Sequence, residues 1–413
     1  MTRVRPFKGS LVNPARVREV VAPAYDSMSA SERARFADAR PDNFLNVMRT
    51  REDWPEDICV QEILRNNKRN LESMIANGSF CEQSEAGFVI YRLIAGGHQQ
   101  TGLVAEIPVS EVDEGRVLKH ELTRREHEDL LVDYQSFVGV SSSPVALAFH
   151  ADTSIRRLMA SIAESTTPYL DYEGDDGVRQ QLWRVTDCEI ISELRGNLST
   201  VENAYLTDGH HRVAAASRYL ANRRASGELS EGDWDHLLVA LFPADELSIL
   251  PFNRCVRDLN GMDESGFLGA LSEHFHVSHL QCSADSPSSP ETMGNFVMVL
   301  DDNCYQLTIK DTSRDPDDPV GGLDVTRLQN LVLGPLLGIE DARGDNRLEY
   351  LSGTTGVSGV NELRRKGWRL AFYCHPVSMA ELMAVADAGQ FMPPKSTCFE
   401  PKVRSGLFLL LKD

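Results

Sequence analysis

Five consecutive residues near the middle of the chain combine the side chains that phosphate chemistry needs. Asp208, Gly209, His210, His211 and Arg212 supply a carboxylate, a position without a side chain, two imidazoles and a guanidinium. Cationic side chains can offset the charge of phosphate oxygens, and a carboxylate can bind Mg²⁺. An Asp-Gly pair before a helix is often only a capped turn, and that alternative stays open. Two histidines, an arginine and an aspartate at one point favour an anion site.

The residues on either side predict how this segment is positioned. An apolar run ends at Asp208 and is typical of a buried strand that reaches a turn. Residues 213–220 contain helix formers and no breaker, so we expect a helix there. A strand-to-helix junction directs backbone N–H groups and the positive end of the helix dipole outward. Gly209 can adopt a positive φ at this turn or leave room that a side chain would fill.

A polar stretch over residues 115–127 contains further candidates. It includes His120, Glu121 and Thr123. The spacing by itself favours a solvated helix, with an ion pair between Glu121 and Arg125 four positions later. A purely structural role is therefore the first interpretation of this stretch.

Two loops carry the remaining polar candidates. Lys395, Ser396 and Thr397 place an ammonium and two hydroxyls on a loop that two preceding prolines stiffen. These residues could hold phosphate, although the glycine-rich run of a Walker A site is absent. Near the start, Tyr25 and Asp26 end an extended proline-containing segment, where an aspartate is also a common turn residue.

Composition limits the classes of partner. The chain has 413 residues, 42% of them hydrophobic and 25% charged, with a net charge of -19. This balance disfavours nonspecific binding to nucleic acid or to an anionic membrane. The eight cysteines are scattered without a C-x-x-C pair, which argues against structural zinc or a disulfide framework. We expect a cytoplasmic protein, since no apolar run has the length of a membrane span or resembles a signal peptide. The oligomeric state stays open, a homodimer included.

Periodicity predicts a mixed α and β protein. The predicted strands cover residues 88–94, 101–109, 145–150, 182–187, 203–206, 236–243, 247–251, 296–300, 305–310, 369–374 and 406–412. The predicted helices cover residues 29–39, 60–76, 154–164, 189–197, 213–220, 325–337 and 378–388. Loop-like segments become frequent beyond residue 258. We therefore predict an α+β fold with a mixed-sheet domain over 1–258 and a smaller α+β domain over 259–413.

Seven stretches together resemble the family known as domain of unknown function 1015. They are RPFKG and VVAPAYD near the start, NFLNV at 43–47, KHELT at 119–123, LTDGHHRVAAA at 206–216, LSILPFNR at 247–254 and MPPKSTCFEPKVRSGL at 392–407. They occur in one order and span nearly the whole chain.

This resemblance implies a fold and a ligand. The DGHHR junction is similar to that of the ParB/sulfiredoxin superfamily, whose members place nucleotide phosphates at the helix start. Free-serine kinases of that superfamily carry a similar Asp-Gly-His-x-Arg segment. Sulfiredoxins have a cysteine in this motif where the present chain has histidines, so their chemistry is disfavoured. Family members usually continue from KHELT toward an Asp-Arg pair, whereas this chain has Leu130 and Leu131 there.

The leading hypothesis is a kinase that uses ATP or ADP with Mg²⁺ to phosphorylate a small hydroxylated metabolite, such as serine or threonine. Asp208 would bind Mg²⁺ or contact the acceptor, and Glu121 would be the base. The catalytic set is Asp208, Glu121, His120 and His211. The cofactor-binding set is Gly209, His210, Arg212, Thr123, Lys395, Ser396 and Thr397. The substrate-binding set is Tyr25, Asp26, Asn253 and Arg254.

Two other functions remain open from the sequence. One is a ParB-like regulator that binds nucleotide without turnover and gates a contact with a partner. The other is a metal-dependent hydrolase whose ligands would be His120, Asp208, His210 and His211.

Overall fold

The computed structural model of the chain describes residues 3–54, 58–150, 153–227, 235–313, 315 and 317–412. Its strands are β1 (Ser10–Val12), β2 (Phe80–Glu82), β3 (Phe88–Ala95), β4 (His98–Pro108), β5 (Val117–Leu118), β6 (Val140–Ser141), β7 (Val145–Phe149), β8 (Leu170–Glu173), β9 (Arg179–Val185), β10 (Ala204–Asp208), β11 (His236–Pro243), β12 (Ser248–Leu250), β13 (Phe252–Val256), β14 (Phe275–Leu280), β15 (Asn295–Leu300), β16 (Asn303–Ile309), β17 (Leu348–Ser352), β18 (Leu370–Cys374), β19 (Cys398–Glu400) and β20 (Phe408–Leu411).

Helices alternate irregularly with these strands, so the protein is of the α+β class, as predicted. They are α1 (Val17–Val20), α2 (Ala30–Asp38), α3 (Val60–Ala76), α4 (Ser110–Asp113), α5 (Arg125–Val138), α6 (Thr153–Ser165), α7 (Cys188–Leu198), α8 (His210–Ser226), α9 (Glu264–His274), α10 (Asp324–Leu328), α11 (Gly356–Arg365) and α12 (Met379–Asp387). None of the helices in the described ranges is long and apolar enough to cross a membrane.

Contacts group the chain into two units. Unit 1 comprises Met1–Lys119, Thr123–Leu247 and Pro401–Asp413, and unit 2 comprises His120–Leu122 and Ser248–Glu400. The domain division predicted at residue 258 stays a prediction, because contact grouping does not show which part folds by itself.

Unit 1 is built on an eight-stranded mixed sheet in the order β5-β10-β7-β11-β4-β3-β9-β8. Strand β11 explains why this sheet is buried on both faces, since its run LLVALF is apolar at every position. Leu238, Ala240 and Phe242 pack into one core, while Val239 and Leu241 pack into the other. A second sheet of unit 1 has the order β2-β1-β20-β6, so the C-terminal strand is paired.

Unit 2 contains an antiparallel six-stranded sheet in the order β14-β16-β15-β18-β13-β17. Alternate residues of β15 enter two cores, with Phe296 and Met298 on one face and Val297 and Val299 on the other. The predicted hairpin of β15 and β16 is confirmed by their antiparallel register.

Helices with a clear amphipathic spacing or capping box in the sequence were predicted correctly. The helix predicted over residues 60–76 is α3, and the capping box of Ser29 and Glu32 opens α2 as expected. The predicted helix over residues 325–337 is shorter, since α10 ends at Leu328 and a π-helical turn follows over Gln329–Leu333. Pro335 follows this turn and has no N–H group with which to continue a helix.

The prediction of a continuous solvated helix over residues 115–127 is wrong. Val117–Leu118 forms β5, which pairs in parallel with β10, and α5 begins only at Arg125. Glu121 lies before the helix, so it forms no i,i+4 helical pair with Arg125. Pairing with β10 determines the secondary structure of residues 117–118, and β10 lies about ninety residues later in the sequence.

Candidate functional site

The segment from Asp208 to Arg212 lies at a strand-to-helix junction of unit 1, as predicted. Strand β10 pairs antiparallel with β7, and the register shifts between Leu206 and Asp208. At the shift, Thr207 donates a hydrogen bond from its hydroxyl to the carbonyl of Ala146, at 3.0 Å. This irregularity ends the strand and leaves the Asp208 side chain 30% exposed at the turn.

Gly209 forms the turn into α8. Its φ of +102° lies in the left-handed region, and as the N-cap residue it offers no side-chain acceptor to the first helical turn. The first four N–H groups of a helix have no partner within the helix, and they carry the positive end of its dipole. A Cβ at Gly209 would lie 3.0 Å from two nitrogens of the Arg212 guanidinium. Only glycine therefore fits this turn without displacing Arg212.

Arg212 holds the junction together. Its Nη2 donates to Asp208 Oδ2 at 2.5 Å, and its Nη1 donates to the carbonyls of Ser143 and Pro144 at 2.6 and 2.8 Å. These bonds tie the turn to the segment that precedes β7. Arg212 thus positions the turn, and its predicted contact with phosphate stays a prediction.

Lys402 adds a second cation beside the same carboxylate. Its Nζ lies 3.7 Å from Asp208 Oδ1, and the lysine side chain is 17% exposed. Lys402 was not among the predicted site residues, although it lies within the C-terminal motif that contributed to the family resemblance. No spacing signal could have paired two residues so far apart in sequence.

Helix α5 packs beside α8 and contributes polar groups. His210 is buried, whereas His211 is partly exposed and its ring centroid lies 5.1 Å from that of His127. Thr123 donates to Glu128 Oε1 at 2.5 Å, and the other oxygen of Glu128 accepts from Arg218 of α8 at 2.9 Å. The predicted cofactor ligand Thr123 is therefore part of a bridge between the two helices.

Tyr25 and Asp26 lie in a short 3₁₀ turn, Tyr25–Ser27, of unit 1. The Arg33 guanidinium stacks over the Tyr25 ring at 4.0 Å and donates to Asp53 at 3.1 Å. The Tyr25 hydroxyl lies 3.3 Å from that of Thr50. Burial raises the pKa of Tyr25, so its hydroxyl is protonated at neutral pH.

The other predicted site residues belong to unit 2. His120 is buried, with its Nε2 3.2 Å from the Thr397 hydroxyl, and its carbonyl accepts from the Met392 N–H at 2.8 Å. The Ser396 hydroxyl donates to the Pro393 carbonyl at 2.6 Å. These bonds fix the loop of residues 392–397 against the segment that contains His120 and Glu121.

Asn253 and Arg254 lie on β13 of unit 2. Asn253 is buried and accepts from the Cys374 N–H at 3.3 Å. Arg254 is also buried and donates from Nη2 to the Lys395 carbonyl at 3.3 Å. The structure thus brings Arg254 to Lys395 and His120 to Thr397, pairings that the sequence could not specify.

A family model described as "Protein of unknown function (DUF1015)" matches residues 4–326. The chain belongs to this family. The match confirms the resemblance drawn from the motifs between the start and residue 254. It ends before the motif at 392–407.

Solved structures show only a loose similarity to this DUF1015 protein. A conserved hypothetical protein from Pyrococcus furiosus is 10% identical with a TM-score of 0.35, and the alignment covers 74% of this chain and 94% of that one. A free serine kinase in complex with AMP is 11% identical with a TM-score of 0.37, and the coverage is 75% and 91%. SbnI from Staphylococcus aureus with a C-terminal truncation is 12% identical with a TM-score of 0.37, and the coverage is 74% and 86%. Similarity this loose does not transfer a ligand or an activity.

No curated protein matches the chain. In the part of this DUF1015 protein that the structure describes, no three side chains of His, Cys, Asp or Glu are grouped so that they could hold a metal ion. Within unit 1, Asp208, His210 and His211 are thus not grouped as metal ligands in the described structure. Asp208 remains the single carboxylate that the kinase hypothesis assigns to Mg²⁺.

Proposed function

We propose that this DUF1015 protein is a nucleotide-dependent phosphotransferase that uses ATP or ADP and Mg²⁺ to phosphorylate the hydroxyl of a small metabolite. The observation that carries the proposal is the start of α8, where a helix without a side-chain cap follows a carboxylate that contacts two cations. Serine and threonine are the acceptors to test first. We place the enzyme in the cytoplasm.

Local charge supports phosphate binding at this point. Asp208 contributes one negative charge, while Arg212 and Lys402 contribute two positive charges within 4 Å of it. The positive end of the α8 dipole adds roughly half a charge of the same sign. This excess is local, since the chain as a whole carries a net charge of -19. A phosphate group would therefore be attracted to the start of α8 although the net charge of the protein is negative.

The same arrangement predicts the condition under which Mg²⁺ binds. Both oxygens of Asp208 have a cationic neighbour, at 2.5 Å for Arg212 and 3.7 Å for Lys402. A divalent cation by itself must compete with these two charges. Phosphate oxygens would draw the cations away and supply further ligands, as is usual for Mg²⁺. Mg²⁺ is therefore expected to bind measurably only together with nucleotide.

The remaining roles are predictions of the sequence and stay part of the proposal. Glu121 is the base, and His120 and His211 complete the catalytic set with Asp208. Gly209, His210, Arg212, Thr123, Lys395, Ser396 and Thr397 contact the nucleotide, and Tyr25, Asp26, Asn253 and Arg254 contact the acceptor. The nucleotide-binding domain spans 1–258 and the α+β domain spans 259–413.

The first test is a thermal-shift screen of the full chain with ATP, ADP, CTP and GTP, each with and without Mg²⁺. A ligand that binds only the folded protein raises the midpoint of unfolding. We expect a shift with ATP or ADP that increases with Mg²⁺, and none with Mg²⁺ in the absence of nucleotide. No shift with any nucleotide would remove the proposal.

The second test measures phosphorylated product from serine, threonine and other hydroxylated metabolites. Asp208→Asn should lower turnover by about 100-fold or more, because it removes a charged contact of the transferring group. Asp171→Asn is the matched control, since Asp171 has similar exposure, 34% against 30%, and also pairs with an arginine. Equal turnover in the two variants would exclude a catalytic role for Asp208.

A nucleotide-binding switch without turnover is the second candidate. The cationic neighbours of Asp208 favour the switch, because each carboxylate oxygen already lies beside a positive charge. So does the replacement of the family's usual Asp-Arg pair by Leu130 and Leu131, of which Leu130 is exposed on α5. Nucleotide binding without product, accompanied by a nucleotide-dependent change in oligomeric state in light scattering, would decide for the switch.

A further inference from the structure

Three arginines are buried among the residues that the structure describes, and one of them differs from the other two. Arg33, 7% exposed, donates to the Asp53 carboxylate at 3.1 Å, and Arg404, 5% exposed, forms an ion pair with Asp176. Arg254 is only 2% exposed, yet the groups it contacts carry no negative charge.

The contacts of Arg254 are all formally neutral. Its Nη1 donates to the carbonyl of Phe252 and lies 3.9 Å from Cys374 Sγ, and its Nη2 donates to the carbonyl of Lys395 at 3.3 Å. The guanidinium carbon lies 5.3 Å from the centre of the Tyr350 ring, which contributes a cation–π attraction.

Neither of the two titratable side chains that Arg254 contacts carries a negative charge at neutral pH. Burial raises the pKa of Cys374, so its sulfur is a protonated thiol. Burial also raises the pKa of Tyr350, whose hydroxyl donates to the Ala342 carbonyl at 3.1 Å. The charge of the Asp324 carboxylate also acts on Cys374, but among the described residues Arg254 forms no ion pair. A buried cation without a directly bonded anion is unfavourable, which distinguishes this position from the two paired arginines.

A second cation lies on the same face of the sheet. Phe252 and Arg254 are two positions apart on β13, so their side chains share a face. The Lys395 ammonium lies 5.5 Å from the centre of the Phe252 ring. Lys395 also has a φ of +55°, and the other non-glycine residues with positive φ in the described ranges are Asn260 and Asp301. Asparagine and aspartate tolerate that conformation, whereas lysine is strained in it.

We propose that Arg254 and Lys395 form a subsite of unit 2 that binds the oxyanion of a small molecule, either a carboxylate or a phosphate. The guanidinium supplies a planar pair of donors, and the ammonium supplies a second charge at the exposed end. The bond from Nη2 to the Lys395 carbonyl, at 3.3 Å, exceeds the usual range of about 2.7–3.2 Å, so an oxyanion could replace it most easily. Both residues also belong to the binding sets of the proposed function, and the proposal here concerns their anion binding, which is measured without turnover.

The first experiment compares two arginine-to-methionine variants of the full chain without ligand. Arg33→Met leaves the buried Asp53 carboxylate unpaired and should lower the midpoint of thermal unfolding by several degrees. Arg254→Met removes a buried charge that has no anion, so its midpoint should equal or exceed that of the wild type. A loss in Arg254→Met as large as that in Arg33→Met would overturn the proposal, because the neutral contacts would then suffice for the guanidinium.

The second experiment titrates the wild type with inorganic phosphate and, separately, with L-serine and D-glycerate in a low-salt HEPES buffer. Calorimetry and thermal shift are the measurements. We expect at least one of the probes to bind, and Arg254→Met or Arg254→Lys to weaken its binding by about tenfold or more. A response to phosphate only identifies a phosphate subsite, and a response to serine or glycerate only identifies a carboxylate subsite. Absence of any response in the wild type contradicts the proposal.

Lys402→Met separates this subsite from the phosphate site that is proposed at the start of α8 in unit 1. Oxyanion binding that persists in Lys402→Met and is lost in Arg254→Met supports the subsite. Binding that is lost in Lys402→Met and persists in Arg254→Met overturns it while leaving the proposed function intact. Lys395→Met, at an exposed position, provides a variant that should fold in any case and should also weaken binding.

Discussion

Arg212 in unit 1 and Arg254 in unit 2 are both arginines that the sequence marked as ligand contacts, but the structure gives them opposite surroundings. Arg212 bonds to the Asp208 carboxylate and to two backbone carbonyls, with 26% of its side chain exposed. Arg254 is 2% exposed and contacts carbonyls, a thiol and an aromatic ring. Of these two cations, the more deeply buried one forms no ion pair in the described part of the chain.

The difference separates a cation that is already paired with a carboxylate of the fold from one that is not. A cation whose partner is built into the fold stabilises the folded chain and positions its neighbours, as Arg212 does for the turn at Gly209. A buried cation whose neighbours are neutral is stabilised further by an anion that the chain itself does not supply. Sequence motifs do not distinguish these cases, because both residues appear in them only as basic side chains.

Arg212→Met should have the largest effect on stability. It removes three charge-assisted hydrogen bonds and leaves Asp208 with Lys402 at 3.7 Å. We expect the free energy of unfolding in urea to fall by about 2–4 kcal/mol, whereas Arg254→Met should change it by less than about 1 kcal/mol. Comparable losses in the two variants would show that the two arginines do not differ in kind.

Gly209→Ala should disturb the turn that Arg212 holds. The φ of +102° is strained for alanine, and the new Cβ would press on the guanidinium at 3.0 Å. We expect a loss of about 2 kcal/mol in unfolding free energy and a smaller thermal shift with nucleotide. Gly227→Ala, at the other end of α8, is the control, because its φ is +71° and no atom lies within 4 Å of the added Cβ. It should lose roughly 1 kcal/mol and retain the full nucleotide shift.

Lys402→Met tests the cation that the sequence analysis missed. Removing one of the two positive charges beside Asp208 should weaken nucleotide binding by about tenfold and lower stability by less than about 1 kcal/mol. Lys366→Met is the control, since Lys366 forms an exposed ion pair with Glu362 on α11. Calorimetric titration with ADP and Mg²⁺ measures both. Unchanged affinity in Lys402→Met would assign this lysine a structural role like that of Arg212.

The smallest effect is expected for an arginine whose partner lies at the surface. Hydrogen bonds from Arg369 hold the pKa of Asp301 below its usual value. A lowered folded pKa means that the stabilisation is present above the unfolded pKa of about 3.9 and is lost as the pH falls through the folded value. Asp301→Asn should therefore lose about 0.5 kcal/mol at pH 7, because both side chains are about 40% exposed, at 41% and 42%. Urea unfolding should show the same difference from wild type between pH 7 and 5 and a shrinking one below about pH 4.

Much of the fold was predictable from local patterns. Helix α3 and strand β11 match their predicted ranges because amphipathic spacing in one and a continuous apolar run in the other leave little choice. Strands β13 and β17 and helices α9 and α11 were not predicted. Their patterns are short or weakly periodic, and pairing with distant strands determines them.

The candidate site was predictable in part. The junction from Asp208 to Arg212 was predicted correctly as strand, turn and helix, since every signal there is local. The sequence could not predict that Arg212 turns back to Asp208, or that Lys402 lies beside the same carboxylate. It also assigned residues 115–127 to one helix, where β5 pairs with β10 instead.

The sequence by itself determined the class of the fold, the family and the turn at Gly209, because composition, motif order and glycine's freedom at positive φ act locally along the chain. The tertiary structure alone decided which charges meet. Coulomb energies depend on distance in space and on burial, neither of which is a property of sequence position. For that reason Asp208 has two cationic partners, whereas the direct contacts of Arg254 with the described residues carry no negative charge.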